Sequence, residues 1–259
     1  MTNLNGILED IPPSPDGPDT PAPTILGPWA TAFWGLGALL LFGGAQLAGA
    51  FGYIYLFNQT HPARRLTVGD VPTDGPLIAT VMLVSTPFLV GMIALAVRRS
   101  RVPLKDYLAL HWPRLRDYLI GLAGLAVVLV LASVMASLTG EETPGFMTGT
   151  FESGRNAGML PLLALGFVVA APVGEEILFR GFLYRGIEAR FGVLPAILTT
   201  AFLWAILHIQ YDVFFIAEIV ALGLFLGWMR RKSGSTLLTI ALHATNNGLA
   251  MAALALGIQ

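Results

Sequence analysis

Residues 159–180 read MLPLLALGFVVAAPVGEEILFR. Positions 159–171 carry no charge, and then Glu175, Glu176 and Arg180 follow within six residues. An apolar run of about 20 residues is the length of a membrane span. Two carboxylates and a guanidinium therefore sit in the inner part of a membrane helix. Ionisable groups at that depth are costly unless they are paired or face a wet cavity, so they mark function. The rest of the chain is read as scaffold and partners for this segment.

The whole chain agrees with that reading. Of its 259 residues 55% are hydrophobic and only 12% charged, and the mean hydropathy is +0.70. A soluble domain carries about 25% charged residues. The expectation is a multi-pass protein of the cytoplasmic membrane, with the lipid bilayer as its first partner. The net charge is −1 and no basic domain stands out, so no nucleic-acid partner is expected. The absence of cysteine excludes disulfides, thiolate metal sites and cysteine nucleophiles.

Residues 1–28 hold seven prolines, four acidic residues and no lysine or arginine. That composition predicts a disordered cytoplasmic tail rather than a secretory signal. Seven apolar segments follow, at 29–57, 76–97, 118–138, 159–190, 193–209, 213–229 and 236–258. The fold class is therefore an all-α polytopic bundle of about seven transmembrane helices. Residues 29–155 form its N-terminal helices and loops, and 156–259 form the core that carries the chemistry. The fourth segment would extend about 48 Å as a helix, so its second half should project beyond the bilayer. The stretch 104–112 is short and amphipathic and should lie along the interface.

Basic residues set the orientation. With the N-terminus on one side, twelve lysines and arginines share that side: Arg98, Arg99, Arg101, Lys105, Arg114, Arg116, Arg180, Arg185, Arg190, Arg230, Arg231 and Lys232. Three lie opposite: Arg64, Arg65 and Arg155. The N-terminus is thus placed in the cytoplasm.

After the third segment the deep ionisable residues are Glu175, Glu176, Arg180, His208, Glu218 and His243, with amides at Asn246 and Asn247. Counted from the cytoplasmic turns, Glu175, His208, His243 and Asn247 reach one layer. Neighbouring helical positions differ by about 100°, so Glu175 and Glu176 cannot face the same way. Glu176 and Arg180 are spaced i,i+4 in the orientation that favours an ion pair, which leaves Glu175 free to face a cavity. His243 and Asn247 share a face, while Asn246 should bond between helices. Glu218 has no evident partner and is assigned a structural or cavity role. The pair Gly223 and Gly227 predicts close helix packing. His61 and His111 lie in loop or interfacial segments and are given no ligand role.

A carboxylate beside a histidine can deprotonate water, and imidazole and amide donors opposite can hold an oxyanion. These residue types suit amide or ester hydrolysis without a protein nucleophile. Glu175, His208 and His243 could equally be three ligands of a single catalytic Zn²⁺. The cofactor is thus none or one zinc ion, undecided by sequence. Two other classes use the same residues: a proton- or cation-coupled transporter, and a non-catalytic membrane immunity or scaffold protein.

Glu175-Glu176-x-x-x-Arg180, followed by Gly181, resembles the first motif of the CAAX-processing and bacteriocin-processing CPBP intramembrane proteases. Trp204-x-x-x-His208 resembles their second, with tryptophan where phenylalanine is usual, and His243-x-x-x-Asn247 matches the third. The resemblance covers about residues 160–250. It implies an intramembrane endopeptidase acting on a membrane-associated or lipidated peptide or protein. It implies Glu175 as the base that activates water, with His208 sharing that water. His243 and Asn247 would stabilise the oxyanion, and Glu176 and Arg180 would support the helix. At position 204 the aromatic ring is expected to pack rather than react.

Overall fold

The computed structural model describes residues 24–257. Most of the proline-rich acidic tail lies outside the described residues. Its last part, from Thr24, is extended, and the Thr24 N–H donates to the Ser100 carbonyl at 3.0 Å.

The described chain is helical, in the order α1 (Pro28–Thr60), α2 (Gly75–Arg98), α3 (Leu104–Tyr107), α4 (Leu115–Thr139), α5 (Gly145–Asn156), α6 (Leu160–Phe191), α7 (Val193–Ile206), α8 (Val213–Ser233) and α9 (Thr236–Leu256). Among the described residues, six helices are long and apolar enough to cross a membrane: α1, α2, α4, α6, α8 and α9. The protein is an all-α, multi-pass membrane bundle.

One expectation is corrected, and two stretches gain detail. The fifth apolar segment does not make a full span: α7 has 14 residues, about 21 Å, because the chain turns at 207–212. The stretch between the third and fourth segments is not merely a loop, since Pro144 opens the twelve-residue α5. Only four residues of the amphipathic stretch 104–112 are helical, because Ala109 adopts φ 52° and ends the run.

Large apolar side chains remain exposed along α1 and α4, including Phe33, Leu40, Phe51, Val130 and Leu138. Such a surface is unfavourable in water and suits lipid. The inward core is built on α2 and α6, where Leu89, Ile93, Leu178, Phe179 and Phe182 are buried. Of residues 174–184 in α6, all but Glu175 are buried. α6 is thus the axis of the bundle, and the one partly open position of 174–184 is an acid.

The two ends are tied differently. At the basic end the N-terminus of α9 is clamped to the segment after α3: the Thr236 N–H donates to Ala109 O at 2.9 Å, and its hydroxyl donates to Leu108 O at 2.6 Å. The Ser235 hydroxyl donates to the carbonyl of His111. These bonds hold α9, with His243 two turns further in, at a fixed depth. A single glycine joins α6 to α7: Gly192 has φ 87°, a conformation side chains oppose, and it allows the immediate reversal. At the opposite end α5 covers the bundle, with the Gly75 N–H donating to Ser153 Oγ at 3.2 Å.

α8 lies close against α7. A Cβ on Gly223 would sit 3.2 Å from both the Ala201 backbone and the Trp204 ring, and one on Gly227 would meet Ile197 at 3.0 Å. The glycine pair therefore packs as its spacing predicts. The close approach also brings the α8 backbone within reach of α6.

Candidate active site

α6 is not a uniform α-helix. Residues Leu165–Ala170 and Ile177–Leu183 are π-helical, on either side of the α-helical turn Ala171–Glu176. A π turn widens the helix and shifts its hydrogen-bond register, and such turns concentrate at functional sites. Here they flank the segment that carries Glu175 and Glu176. Carbonyls of these turns are met by side chains of other helices. Asn247 Nδ2 donates to Phe167 O at 2.9 Å, the Thr86 hydroxyl to Ala170 O at 3.4 Å, and Arg230 Nε to Arg180 O at 3.0 Å. Backbone groups in hydrocarbon need such partners.

Glu176 and Arg180 have no exposed surface. Arg180 Nη1 donates to Glu176 Oε1 at 2.9 Å and Nη2 donates to Gly223 O at 3.1 Å. Its guanidinium lies 4.7 Å from the centroid of the Trp204 ring. The ion pair expected from the i,i+4 spacing is present. The same Glu176 oxygen also lies 3.1 Å from His243 Nδ1. A carboxylate only accepts, so the proton of that bond belongs to Nδ1 and Nε2 is the nitrogen left for other chemistry.

Glu175 does not meet His243 directly through a hydrogen bond. Its Oε2 accepts from Trp204 Nε1 at 2.5 Å. His208, in the turn just after α7, has its Nδ1 2.9 Å from Trp204 O in the last turn of that helix. The rings of His208 and His243 each lie with centroids 5.2 Å from the Trp204 ring, and both meet it edge-on. One indole thus stands at the centre of Glu175, His208 and His243. The sequence reading gave that ring a packing role. Its N–H also holds the candidate base, a property that i,i+4 spacing to His208 placed nearby but did not reveal.

The interhelical bond expected of Asn246 falls to the other amide. Asn247, rather than Asn246, makes the interhelical bond, to Phe167 O. Asn246 Nδ2 donates to Asn247 Oδ1 at 3.1 Å. Arg230, counted from sequence among the cytoplasmic cations, is instead buried, with its guanidinium 5.2 Å from the Tyr184 ring. Glu218 is half-buried on α8 and, among the described residues, joins none of these bonds. His61 stacks on Phe57 and His111 faces Asp106, both away from the site.

The zinc alternative requires three donors converging on one point. Among the described residues no three His, Asp or Glu side chains are grouped to hold a metal ion. His243 Nδ1, His208 Nδ1 and Glu175 Oε2 are each turned to another partner. Both imidazoles are thus oriented through Nδ1, which leaves Nε2 as the ligating nitrogen of each.

Two clefts open elsewhere. One of about 400 Å³ lies at the outer end beside Phe151, Arg155 and Leu254. The other, about 460 Å³, lies at the basic end beside Arg98, Arg101 and Leu104. Neither is lined by a residue of the Glu175 cluster. The site is therefore defined by its converging polar groups, with Glu175, His208 and Asn247 partly open and Glu176 and His243 buried.

Residues 157–249 match the model of the type II CAAX prenyl endopeptidase Rce1-like family. This interval contains all three motifs. Over 130 residues the chain is also 31% identical to an uncharacterized 24.3 kDa protein of Escherichia coli, covering 48% of this chain and 59% of that protein. The match thus spans less than two thirds of that relative. No solved structure matches the chain. The three motifs and the family model thus fall on one segment, 157–249, which is similar to the Rce1-like type II CAAX prenyl endopeptidases.

Proposed function

We propose that the protein is an intramembrane endopeptidase that hydrolyses a peptide bond in a membrane-associated, lipidated substrate of the CAAX kind. The observation that carries this reading is the convergence on Trp204: Glu175 on its N–H, and His208 and His243 against its ring. A candidate base, a second group suited to holding water and a candidate donor are thereby gathered from α6, the turn after α7 and α9 around one side chain. The gathering of basic residues at the α8–α9 end supports a cytoplasmic orientation of that end.

In this mechanism a water molecule lies between Glu175 and His208. Glu175 takes a proton from it as the oxygen attacks the substrate carbonyl, and that proton passes to the departing amine. Charge then develops on the carbonyl oxygen, where Asn247 and His243 offer donors. His243 spends its Nδ1 proton on Glu176, so Nε2 donates only when the ring carries both protons. Glu176, itself neutralised in part by Arg180, supplies the counter-charge for that imidazolium. The second glutamate of the motif thus supports the oxyanion side of the reaction, while the first activates water.

The test is cleavage of a farnesylated CAAX peptide by the full chain in liposomes. Glu175→Gln is expected to lower kcat by at least about 10²-fold, the scale of a lost general base. Cleavage by Glu175→Gln at the wild-type rate would remove Glu175 from this role. Absence of cleavage by wild type across prenylated peptides would remove the substrate class.

A further inference from the structure

Inside α6 the N–H of Ala171 bonds to Gly166 O, five residues back. The next carbonyl in that register is Phe167's, and its donor would be the N–H of residue 172. Residue 172 is proline, which has none. The carbonyl left over is the one that Asn247 Nδ2 meets at 2.9 Å.

This bond does more than tie α6 to α9. Asn247 is held at both ends of its amide: Nδ2 on Phe167 O and Oδ1 on Asn246 Nδ2, at 3.1 Å. Rotating the amide by half a turn would set Oδ1 against a carbonyl oxygen and an amide nitrogen against the Asn246 nitrogen. Both contacts would be repulsive, so one rotamer is fixed. The second Nδ2 hydrogen then has a defined direction. Asn247 is half-open, and among the described residues that hydrogen has no acceptor. Pro172 and Glu175 lie on the same short α-helical turn, Ala171–Glu176, and the Phe167 anchor lies on the π turn just before it.

We propose that Pro172 is a positioning residue for Asn247. By withholding one N–H, it keeps the Phe167 carbonyl available as the anchor that aims the free Asn247 N–H at the oxyanion. This inference rests on the endopeptidase reading for its catalytic consequence, but the anchoring itself is measurable without substrate.

The experiment is Pro172→Ala in the full-length protein. Restoring the N–H gives Phe167 O a backbone donor and releases Asn247. Alanine is also a far better helix former than proline, so the thermal midpoint is expected to hold or rise. In the liposome assay kcat is expected to fall about tenfold, with KM within about twofold, a fraction of the 10²–10³ expected for removing a donor outright. Asn247→Ala should be at least as impaired, and adding Pro172→Ala to it should give no further loss. An equal further loss in that background would show that Pro172 acts elsewhere and overturn the proposal. Wild-type kcat in Pro172→Ala would do the same.

A second readout is independent of activity. In protein labelled with ¹⁵N-asparagine, the Asn247 side-chain signals are assigned by their loss in Asn247→Ala. The anchored hydrogen should resonate well downfield of its geminal partner, and the separation should collapse in Pro172→Ala. An unchanged separation refutes the anchoring. An inactive wild type with a collapsing separation would refute the endopeptidase reading and leave the anchoring established. If Pro172→Ala fails to fold, Asn246→Ala, which removes the other tether, should reduce the same separation. Its failure to do so would overturn the fixed rotamer on which the proposal stands.

Discussion

Removing either member of the Glu176–Arg180 pair should be far more damaging than removing both. Each side chain is fully buried, and together they share a 2.9 Å bond. Arg180→Met leaves a buried carboxylate with His243 and Thr239 beside it, while Glu176→Gln leaves a guanidinium with a carbonyl, two aromatic faces and the Glu175 charge nearby. Stranding one buried charge costs about 3–5 kcal/mol. For Arg180→Met the lost contact with the Trp204 ring adds up to about 2 kcal/mol where the cation is desolvated. The double variant has no stranded charge from this pair, and replacing a whole buried pair is often near neutral. The coupling between the two changes should therefore be several kcal/mol. The assay is reversible unfolding of the full chain in mixed detergent micelles, followed by tryptophan fluorescence, for the wild type, both singles and the double. Singles that each lose under about 1 kcal/mol, or losses that simply add, would show that the pair does not hold α6 in place.

Two further outcomes follow from the packing and the donor geometry. Gly223→Val should destabilise the bundle by about 1–3 kcal/mol and lower activity, because its Cβ would press on the Ala201 backbone and Trp204 ring at 3.2 Å. Gly91→Ala, with nothing within 4 Å, should be near neutral in the same unfolding assay, and equal effects at the two sites would refute the close α7–α8 fit. Purified protein should contain well under one zinc per chain and should keep its activity after chelation. Near-stoichiometric zinc that disappears in His208→Ala would show that the donors do converge.

The ion pair was legible from spacing because it is local: i,i+4 positions on one helix meet whatever the rest of the fold does. The same holds for the close approach at Gly223 and Gly227, and for the shared face of His243 and Asn247. The span count was less legible. A 14-residue apolar helix and a longer one look alike until the turn that ends them is placed, and for α7 that turn comes at 207–212. The helix α5 was hidden because its twelve residues are too few and too polar to stand out beside the apolar spans.

What sequence determined by itself is the lipid-facing all-α class, the apolar segments that include the six long helices, the basic end and the three polar motifs. Apolar content, helix length and the cost of a buried charge suffice for all of these. What only the tertiary structure decided is who touches whom. Glu176, not Glu175, holds His243; Trp204 holds Glu175; Asn247, not Asn246, reaches Phe167. These partners lie 67, 29 and 80 residues apart. Their meeting depends on the rotation of α6 about its axis, which its two π turns alter. A register shift of that kind moves every later side chain around the helix, and its stabilising partners are backbone carbonyls that no side-chain pattern records.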